Sequence, residues 1–173
     1  MDKIIIWLVL GFLVQTNYFK GSADNNAKDS EVFQALKSYD SLLFTISFNQ
    51  CKLSEVDNIM ADDLEFYHDK SGITNSKEEF MSVMKNGICN PSNKSKARRE
   101  LVNGSLQVFP LYDNGKLYGA IQQGEHRFYE SYNGEPEKAG STAKFSHLWL
   151  KNENNWILKR VYSYNHEMKS IEK

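Results

Sequence analysis

An apolar run near the amino terminus differs from the rest of the chain. Residues 4–14 are apolar and follow Lys3. This run is too short for a membrane-spanning helix, which needs about 20 residues. It suits the core of a secretory signal, which takes roughly 7–15 residues and ends at small residues. We therefore expect a signal peptide over residues 1–23, cleaved after Ala23, and a polar linker over 24–29. An uncleaved anchor is the alternative.

Apolar residues recur at three- and four-residue steps over residues 30–50 and predict a long first helix. Asp40 lies beside this apolar stripe, where it is solvated, paired with an arginine, or directed at a cavity. Ser54 and Asp57 resemble a capping pair ahead of the apolar residues 59–60 and indicate a second, short helix. These patterns place two helices before the first strand.

Residues 64–68 alternate between apolar and polar side chains, as a strand does, and a turn signal follows them. A third helix is predicted to begin after Ser76, which forms a capping box with Glu79. Gly87 marks the expected end of this helix. The amino-terminal half therefore holds three predicted helices and one strand.

Beyond Arg98 the chain is patterned as strands. Turn signals, of which Asp113-Asn114-Gly115 is the strongest, separate hairpin-connected strands. The predicted strands cover about 98–110, 116–131, 141–151 and 156–166. Glycines within or beside these strands indicate bends, as a strongly curved sheet requires. The order of elements predicts an α+β cone, in which three N-terminal helices pack on a curved, mostly antiparallel sheet and leave a pocket at the open end.

Composition and charge narrow the range of partners. The 173 residues carry a net charge of -1, and the isoelectric point is near 6.4, so no basic surface is expected to bind nucleic acid. Once the signal is cleaved, we expect no membrane partner either. The length indicates a single domain, which we place at residues 30–168 with a tail over 169–173.

The two cysteines, Cys51 and Cys89, predict a disulfide, because an even number of cysteines in an exported chain favours one. Each lies just past the end of a predicted helix, so the bond would join two helices. It would stabilise the fold by about 3–4 kcal/mol in the chain-entropy model. Two buried free thiols are the alternative, and the spacing matches no zinc site.

Each of the four histidines falls within a predicted strand or at its end. They are His68, His126, His147 and His166. Imidazole serves both proton transfer near neutral pH and metal binding. No HxH or HxxxH spacing occurs, so we expect neither a metal site nor a cofactor. Each histidine either holds strands in place through hydrogen bonds or joins a polar cluster at the mouth of the cone.

The cluster hypothesis assigns roles to particular residues. Asp69 would orient an imidazole, as the carboxylate does in acid–base pairs. His126 and His147 could face each other on neighbouring strands, depending on a register that the sequence leaves open. The candidate catalytic residues are therefore His126, His147 and Asp69.

Arg99 lies where the sheet begins and could clamp a ligand carboxylate through two parallel hydrogen bonds. The alternative is an ion pair with Glu65, Glu125 or Glu130. The same two interpretations apply to Arg160.

Alternation along the last strand places Arg160, Tyr164 and His166 on one face, unless a bulge interrupts it. The candidate ligand-binding residues are Tyr67, His68, Arg99, Arg160, Tyr164 and His166.

Three segments resemble the nuclear transport factor 2-like superfamily, also called SnoaL-like. They are Glu65-Phe66-Tyr67-His68-Asp69, the strand over 124–130, and the final strand that Trp156 opens. The likeness covers about residues 30–168 and, more narrowly, resembles an exported bacterial branch with a domain of unknown function. It implies the cone fold and dimerisation through the sheet. Because the superfamily includes isomerases, dehydratases, cyclases, oxygenase subunits and non-catalytic binders, it implies no single reaction.

Three functions remain open at this point. The first is an exported, periplasmic or extracellular domain that binds a small, partly apolar molecule, with His126, His147 and Tyr67 as polar anchors. The second is an acid–base enzyme, such as an isomerase or dehydratase, with a histidine as base and Asp69 or a tyrosine as its partner. The third is a structural homodimer with a closed cavity. Binding requires a cavity of at least ~300 Å³. The enzyme also requires two titratable groups within hydrogen-bond reach inside that cavity, and a filled cone would leave only the structural function.

Overall fold

Two α-helices, a π-helical segment and a 3-10 helix pack on one face of a sheet. The computed structural model describes residues 30–153 and 155–168, so the predicted signal peptide, linker and tail lie outside the described residues. Helix α1 is Glu31–Ser41 and continues as the π-helical segment Leu42–Phe48. The 3-10 helix is Leu53–Ile59 and helix α2 is Lys77–Asn86. No helix in the described ranges has the length and apolar character that crossing a membrane requires.

Local side-chain chemistry sets where α2 begins. Ser76 accepts a hydrogen bond from the backbone N–H of Glu79 at 3.1 Å, and the Glu79 carboxylate accepts one from the backbone N–H of Asn75 at 2.9 Å. These bonds satisfy amides that have no partner within the helix. The capping role predicted for Ser54 is wrong, because the 3-10 helix already starts at Leu53 and no side chain caps it.

Seven strands form one mixed sheet. They are β1 (Met60–His68), β2 (Gly72–Thr74), β3 (Ser95–Leu101), β4 (Gln107–Asp113), β5 (Lys116–Tyr132), β6 (Lys138–Asn152) and β7 (Asn155–Met168). The order across the sheet is β2-β1-β7-β6-β5-β3, and β4 also pairs with β5. Only the β1–β7 pair is parallel among the described strands. The predicted α+β cone with a mostly antiparallel sheet is confirmed.

The single strand predicted over 98–110 is wrong, because β3 and β4 share that region. Between them the hydroxyl of Ser105 donates to the carbonyl of Val102 at 2.8 Å, and Gly104 adopts a left-handed conformation with φ of 78°. Glycine reaches this conformation without strain, and it turns the chain out of the strand. As a result, β3 pairs with the second half of β5 and β4 with the first half.

Two predicted hairpin turns are confirmed. Asn114-Gly115 and Asn133-Gly134 have positive φ at both positions, as the turn type that matches strand twist requires. At the third predicted turn Asn152 pairs with Asn155, and Asn154 lies outside the described residues.

Irregular pairing bends the sheet around the helices. The register shifts between Arg127 and Tyr129 on β5 and at two places where β6 meets β7. Such bulges increase the local twist of a strand and curve the sheet. The concave face carries the core, in which Leu64 and Trp149 are fully buried together with Leu36 of α1.

A disulfide joins the two helical walls above the sheet, as predicted. Cys51 and Cys89 are bonded, with their Cα atoms 5.4 Å apart. Cys51 follows the π-helical segment and Cys89 follows α2. The bond therefore fixes the spacing of two segments that flank the concave face.

Replacing both cysteines by serine is expected to lower the free energy of unfolding by about 2–4 kcal/mol, because the crosslink limits the unfolded chain. Urea unfolding followed by circular dichroism measures the change. Reduced wild-type protein is the matched control and should unfold at the same urea concentration as the variant. An unfolding free energy that changes by less than about 0.5 kcal/mol would contradict a stabilising bond.

Candidate functional site

A cavity of about 500 Å³ lies between the concave face of the sheet, the π-helical segment and α2. Aromatic side chains line much of it, namely Phe44, Phe48, Phe66, Phe80 and Phe128. Its volume lies in the range of small-molecule pockets, roughly 300–1,000 Å³. Two groups of polar side chains adjoin it. We name them the inner cluster (Asp40, Arg99, His126 and His147) and the mouth cluster (His68, Asp69 and His166).

The register of β5 against β6 brings the inward-facing residues of both strands together. Gln122 lies opposite His147, and Gly124 lies opposite Phe145. The ring of Phe145 stacks on His126, with centroids 4.2 Å apart, and its centroid lies 4.6 Å from that of His147. The two histidines therefore share the concave face, and Phe145 lies between them. Gly124 permits this packing, because a Cβ there would lie 2.6 Å from the ring.

Gln122 sets the protonation of His147. Its Oε1 accepts a hydrogen bond from the indole N–H of Trp149 at 2.8 Å, and its Nε2 donates to the carbonyl of Leu36 at 2.9 Å. His147 Nδ1 lies 3.2 Å from the same Oε1 and must therefore carry the proton. The other ring nitrogen, Nε2, is left as a bare acceptor and has no hydrogen-bond partner among the described residues.

Arg99 is held in the cavity wall by contacts with three residues. Asn49, which follows the π-helical segment, donates to the carbonyl of Arg99 at 2.9 Å and accepts from its backbone N–H at 2.8 Å. The guanidinium carbon lies 3.6 Å from the centroid of Phe44, a favourable cation–π contact. Its Nη2 lies 2.5 Å from His126 Nδ1. Because a guanidinium only donates, Nδ1 accepts, and His126 carries its proton on Nε2.

His126 directs that N–H towards Asp40 of α1. The distance from His126 Nε2 to Asp40 Oδ1 is 3.6 Å, and Asp40 is only 5% exposed. Arg99, His126 and Asp40 thus form a chain in which an imidazole separates the guanidinium from the carboxyl group. Burial raises the pKa of Asp40 to about 7, and the charge of Arg99 opposes that rise. Burial likewise lowers the pKa of Arg99 to about 9 against the opposing charge of Asp40.

Both histidines of the inner cluster are neutral near pH 7. Burial lowers the pKa of His126, and the charge of Arg99 lowers it further. The same two causes hold the pKa of His147 well below its ordinary value. A neutral imidazole between Arg99 and Asp40 separates the two groups and adds no charge of its own.

Each residue of the inner cluster has a buried polar atom without a hydrogen-bond partner. Four buried side-chain atoms in the described part of the chain have none: Asp40 Oδ1, Arg99 Nε, His126 Nε2 and His147 Nε2. All four belong to this cluster. Buried polar atoms without a partner are rare in folded proteins, and each calls for an explanation. The buried polar atoms without a partner are therefore concentrated in the inner cluster, among the described residues.

The mouth cluster is built around Asp69, which follows β1. Its Oδ1 lies 2.5 Å from His166 Nδ1, and its Oδ2 accepts from the backbone N–H of His166 at 3.1 Å. Desolvation pushes the pKa of Asp69 upward, but these hydrogen bonds outweigh it and lower that pKa. Because the ionised carboxylate only accepts, His166 carries its proton on Nδ1 and leaves Nε2 as an acceptor. Asp69 thus orients His166 rather than His126 or His147.

His68 completes the mouth cluster as a donor. Its ring stacks on that of His166, with centroids 4.4 Å apart. Its Nδ1 accepts from the backbone N–H groups of Lys70 at 3.0 Å and Ser71 at 3.3 Å, so the proton lies on Nε2. Desolvation and then the neighbouring His166 lower the pKa of His68, against the opposing charge of Asp69. The mouth therefore presents an acceptor nitrogen beside a donor N–H.

The spacing of the mouth cluster also suits a metal ion, since its ligand atoms lie within 4.8 Å of one another. However, His68 Nδ1 already accepts two backbone N–H groups. A metal bound at that nitrogen would leave both groups without a partner, which is costly. We therefore assign no metal to Nδ1 of His68.

Three of the predicted ligand-binding residues lie on the outer face of the sheet. Tyr67 and Tyr164 are 36% and 40% exposed, and Tyr67 stacks on Tyr162 with centroids 5.2 Å apart. Arg160 forms an ion pair with Glu65 at 2.7 Å, which is the alternative weighed for it. The predicted candidates that do line the cavity are His68, Arg99, His147 and His166.

A bulge in the last strand separates residues that simple alternation groups together. The register of β7 shifts between Tyr164 and Glu167, where Asn165 is left-handed with φ of 58°. Tyr164 therefore faces outward, whereas His166 turns to the cavity. Arg160 and Tyr164 share the outer face of the sheet, and His166 is not part of it.

Asp40 and Gln122 are site residues that are absent from the candidates named from the sequence, although a position facing a cavity was one of the alternatives for Asp40. Asp40 is an acidic residue beside the apolar stripe of α1, and Gln122 alternates with Ala120 and Gly124 on the inward face of β5. In both cases the sequence places a polar residue within a pattern that predicts core positions. Such a residue indicates a site, because a polar group is buried only with a partner.

Solved structures identify the fold. An NTF2-like superfamily protein from Salmonella enterica serovar Typhimurium has a TM-score of 0.61 at 13% identity, covering 81% of this chain and 94% of that one. ActVI-ORFA from Streptomyces coelicolor has a TM-score of 0.61 at 10% identity, covering 80% and 98%. An NTF2-like protein of unknown function in nutrient uptake from Rhodospirillum rubrum has a TM-score of 0.54 at 18% identity, covering 74% and 95%.

The chain therefore has the nuclear transport factor 2-like fold, which confirms the fold predicted from the sequence. No family model and no curated protein matches the sequence. At these identities the likeness concerns the fold alone, because one fold supports many functions. Function has to be argued from the two clusters and the cavity.

Asp40→Asn is expected to stabilise the fold increasingly as the pH rises. The folded-state pKa of Asp40, about 7, lies above its ordinary value of 3.8. Its protonation stabilises the folded protein fully below the lower value, and this contribution is lost as the pH rises through the higher one. The advantage of the variant should grow by about 2–4 kcal/mol between pH 4 and pH 8.

Urea titrations across this pH range measure the difference in unfolding free energy. Asp57→Asn is the matched control, because Asp57 is exposed. A difference between Asp40→Asn and wild type that stays constant with pH would show that Asp40 does not take up a proton on folding.

Proposed function

We propose that this protein is an exported domain that binds a small, largely apolar molecule inside the cone. The cavity of about 500 Å³, with an aromatic wall and polar side chains at two places, carries this proposal. The wall buries the body of the ligand, while a few polar groups fix its orientation. The size of the cavity argues against the structural alternative with a closed interior.

Export to the periplasm or the extracellular space is part of the proposal. It is supported by the apolar run over residues 4–14 and by the Cys51–Cys89 disulfide. Disulfides form and persist in oxidising compartments and are rare in the cytosol.

The proposal also includes a homodimer formed through the outer face of the sheet. Tyr67, Tyr162 and Tyr164 are exposed there, and two of these rings are stacked. Contiguous exposed aromatic surface favours association, because association removes it from water. The cavity lies on the opposite face, so such a dimer leaves it open to a ligand.

Filling the cavity is expected to abolish ligand binding. Ser163 is buried on the cavity wall, whereas its diagonal neighbour Ser146 lines the groove on the outer face. Native mass spectrometry of wild-type protein from the periplasm should show extra mass that leaves on unfolding. Ser163→Phe should lose most of that mass, because the phenyl ring occupies the ligand's space, and the control Ser146→Phe should keep it.

The outcomes separate the possibilities. Equal extra mass on both variants would place the ligand outside the cavity. Wild-type protein that carries no ligand and binds none when small molecules are added would contradict the proposal. Circular dichroism verifies that both variants are folded, and the same mass spectra report the dimer.

An acid–base enzyme is the second candidate, and the mouth cluster favours it. His166 Nε2 can take a proton and His68 Nε2–H can give one, from rings 4.4 Å apart on the cavity wall. Asp69 holds His166 in the tautomer that this requires. Moving a proton between neighbouring positions of a ligand is what an isomerase or dehydratase does. His126 and His147 are less suited, because they are buried in the inner cluster.

Asp69→Asn tests this candidate. If the enzyme exists, the ligand released from the protein should take up deuterium when it is incubated with wild-type protein in D2O. The variant should slow that exchange by about 100-fold, because the base loses its orienting carboxylate. Asp113→Asn, at the exposed end of β4, is the control and should exchange at the wild-type rate. Binding without any exchange in the wild type would leave a binder and exclude this chemistry.

A further inference from the structure

Arg99 is a charged residue on an apolar wall that has no carboxylate partner. Among the described residues it forms no ion pair, and the bond to His126 Nδ1 at 2.5 Å is the one hydrogen bond that its guanidinium donates. Its Nε is buried without a partner. The adjacent Arg98, by contrast, pairs with Glu100 at 3.1 Å and Glu137 at 3.0 Å. Arg98 therefore has carboxylate partners within the protein, whereas Arg99 has none among the described residues.

Asp40 does not fill that role. Its Oδ1 lies 3.6 Å from His126 Nε2, on the far side of the imidazole from Arg99. Phe44 contacts the guanidinium at 3.6 Å but provides no negative charge. Taking a guanidinium out of water is costly unless it is paired. Since Arg99 lines the cavity, an anion inside the cavity can supply the missing partner.

We infer that the ligand carries a carboxylate, or another singly charged acidic group, which binds the guanidinium of Arg99 while its apolar part fills the cavity beside Phe44 and Phe128. This inference rests on the proposed binding function and names the class of ligand, an amphipathic monocarboxylic acid. A carboxylate offers two acceptor oxygens in the geometry of the guanidinium donors. The aromatic wall then buries the apolar part.

Other titratable groups face the same space from every side. They are Asp40 of α1, Glu79 of α2, His68 of β1 with the adjoining Asp69, His126 and Glu130 of β5, His147 of β6 and His166 of β7. Glu79 and Glu130 are exposed, so water and salt screen their repulsion of an anion. The carboxylate of Asp69 accepts two hydrogen bonds from His166, which occupy its oxygens. Arg99 is thus the charged group that an anion in the cavity would contact.

Binding of an acid at Arg99 is coupled to a proton on Asp40. An ionised Asp40 and a bound carboxylate attract the same guanidinium and repel each other. Burial raises the pKa of Asp40 to about 7, so lowering the pH from 8 to 6 neutralises it. Arg99 then attracts the carboxylate of the ligand without competition from Asp40. That carboxylate stays ionised in this pH range. Affinity for the acid therefore rises as the pH falls.

Matched acid and amide probes test both the binding of a carboxylate at Arg99 and its coupling to a proton on Asp40. The probes are hexanoate, octanoate, decanoate and 4-phenylbutanoate, each with its primary amide, titrated calorimetrically into the mature protein. At pH 6 the acids should bind about 10- to 100-fold more tightly than the amides. Arg99→Met should remove this preference, and the control Arg98→Met should retain it. At pH 8 the preference should fall at least about fivefold in wild type and stay constant in Asp40→Asn.

Each outcome has a distinct meaning. If acids and amides bind the wild type alike, the inference is overturned and the proposed function stands. If no probe binds at either pH, the proposed function fails for molecules of this size. A preference that survives in Arg99→Met places the anion site elsewhere and overturns the inference. If that variant does not fold, the wild-type comparison of acid with amide decides. A pH dependence that persists in Asp40→Asn assigns the proton to another group and overturns the coupling.

Discussion

The pairing of β5 with β6 is the constraint on which the rest of the structure depends. Its register places Gln122 opposite His147 and Gly124 opposite Phe145, so a row of polar and aromatic side chains points into the cone. A shift of one residue would turn that row to the outer face. Gly124 helps to hold the register, because a side chain there would collide with the ring of Phe145. The curvature of this pair also leaves the space that becomes the cavity.

The inner cluster brings a guanidinium into this apolar interior, and several elements converge to hold it there. β3 brings Arg99 opposite Phe128 of β5, and Asn49 ties its backbone to the end of the π-helical segment. The same segment sets Phe44 against the guanidinium. π-helical turns are uncommon and often occur at functional sites. A core stabilised elsewhere by apolar burial and a disulfide can retain such an incompletely satisfied cluster, which is where function is expected.

Features that are local in the sequence could be predicted, and contacts between distant segments could not. The start of α2, the Asn-Gly turns and the disulfide follow from short patterns. The mouth cluster depends on the left-handed Asn165, which turns His166 inward, and on the parallel pairing of β1 with β7, which brings Asp69 to it. Neither can be read from alternation alone. One error was avoidable: Tyr67 and His68 are neighbours in a strand, so they face opposite sides of the sheet.

A crystal structure of the mature protein with bound octanoate tests the central claim most directly. We predict that the carboxylate lies within hydrogen-bond distance of the guanidinium of Arg99 and that the chain runs along Phe44 and Phe128 inside the cavity. Octanoate bound at the mouth cluster or on the outer face, with Arg99 uncontacted, would contradict the claim.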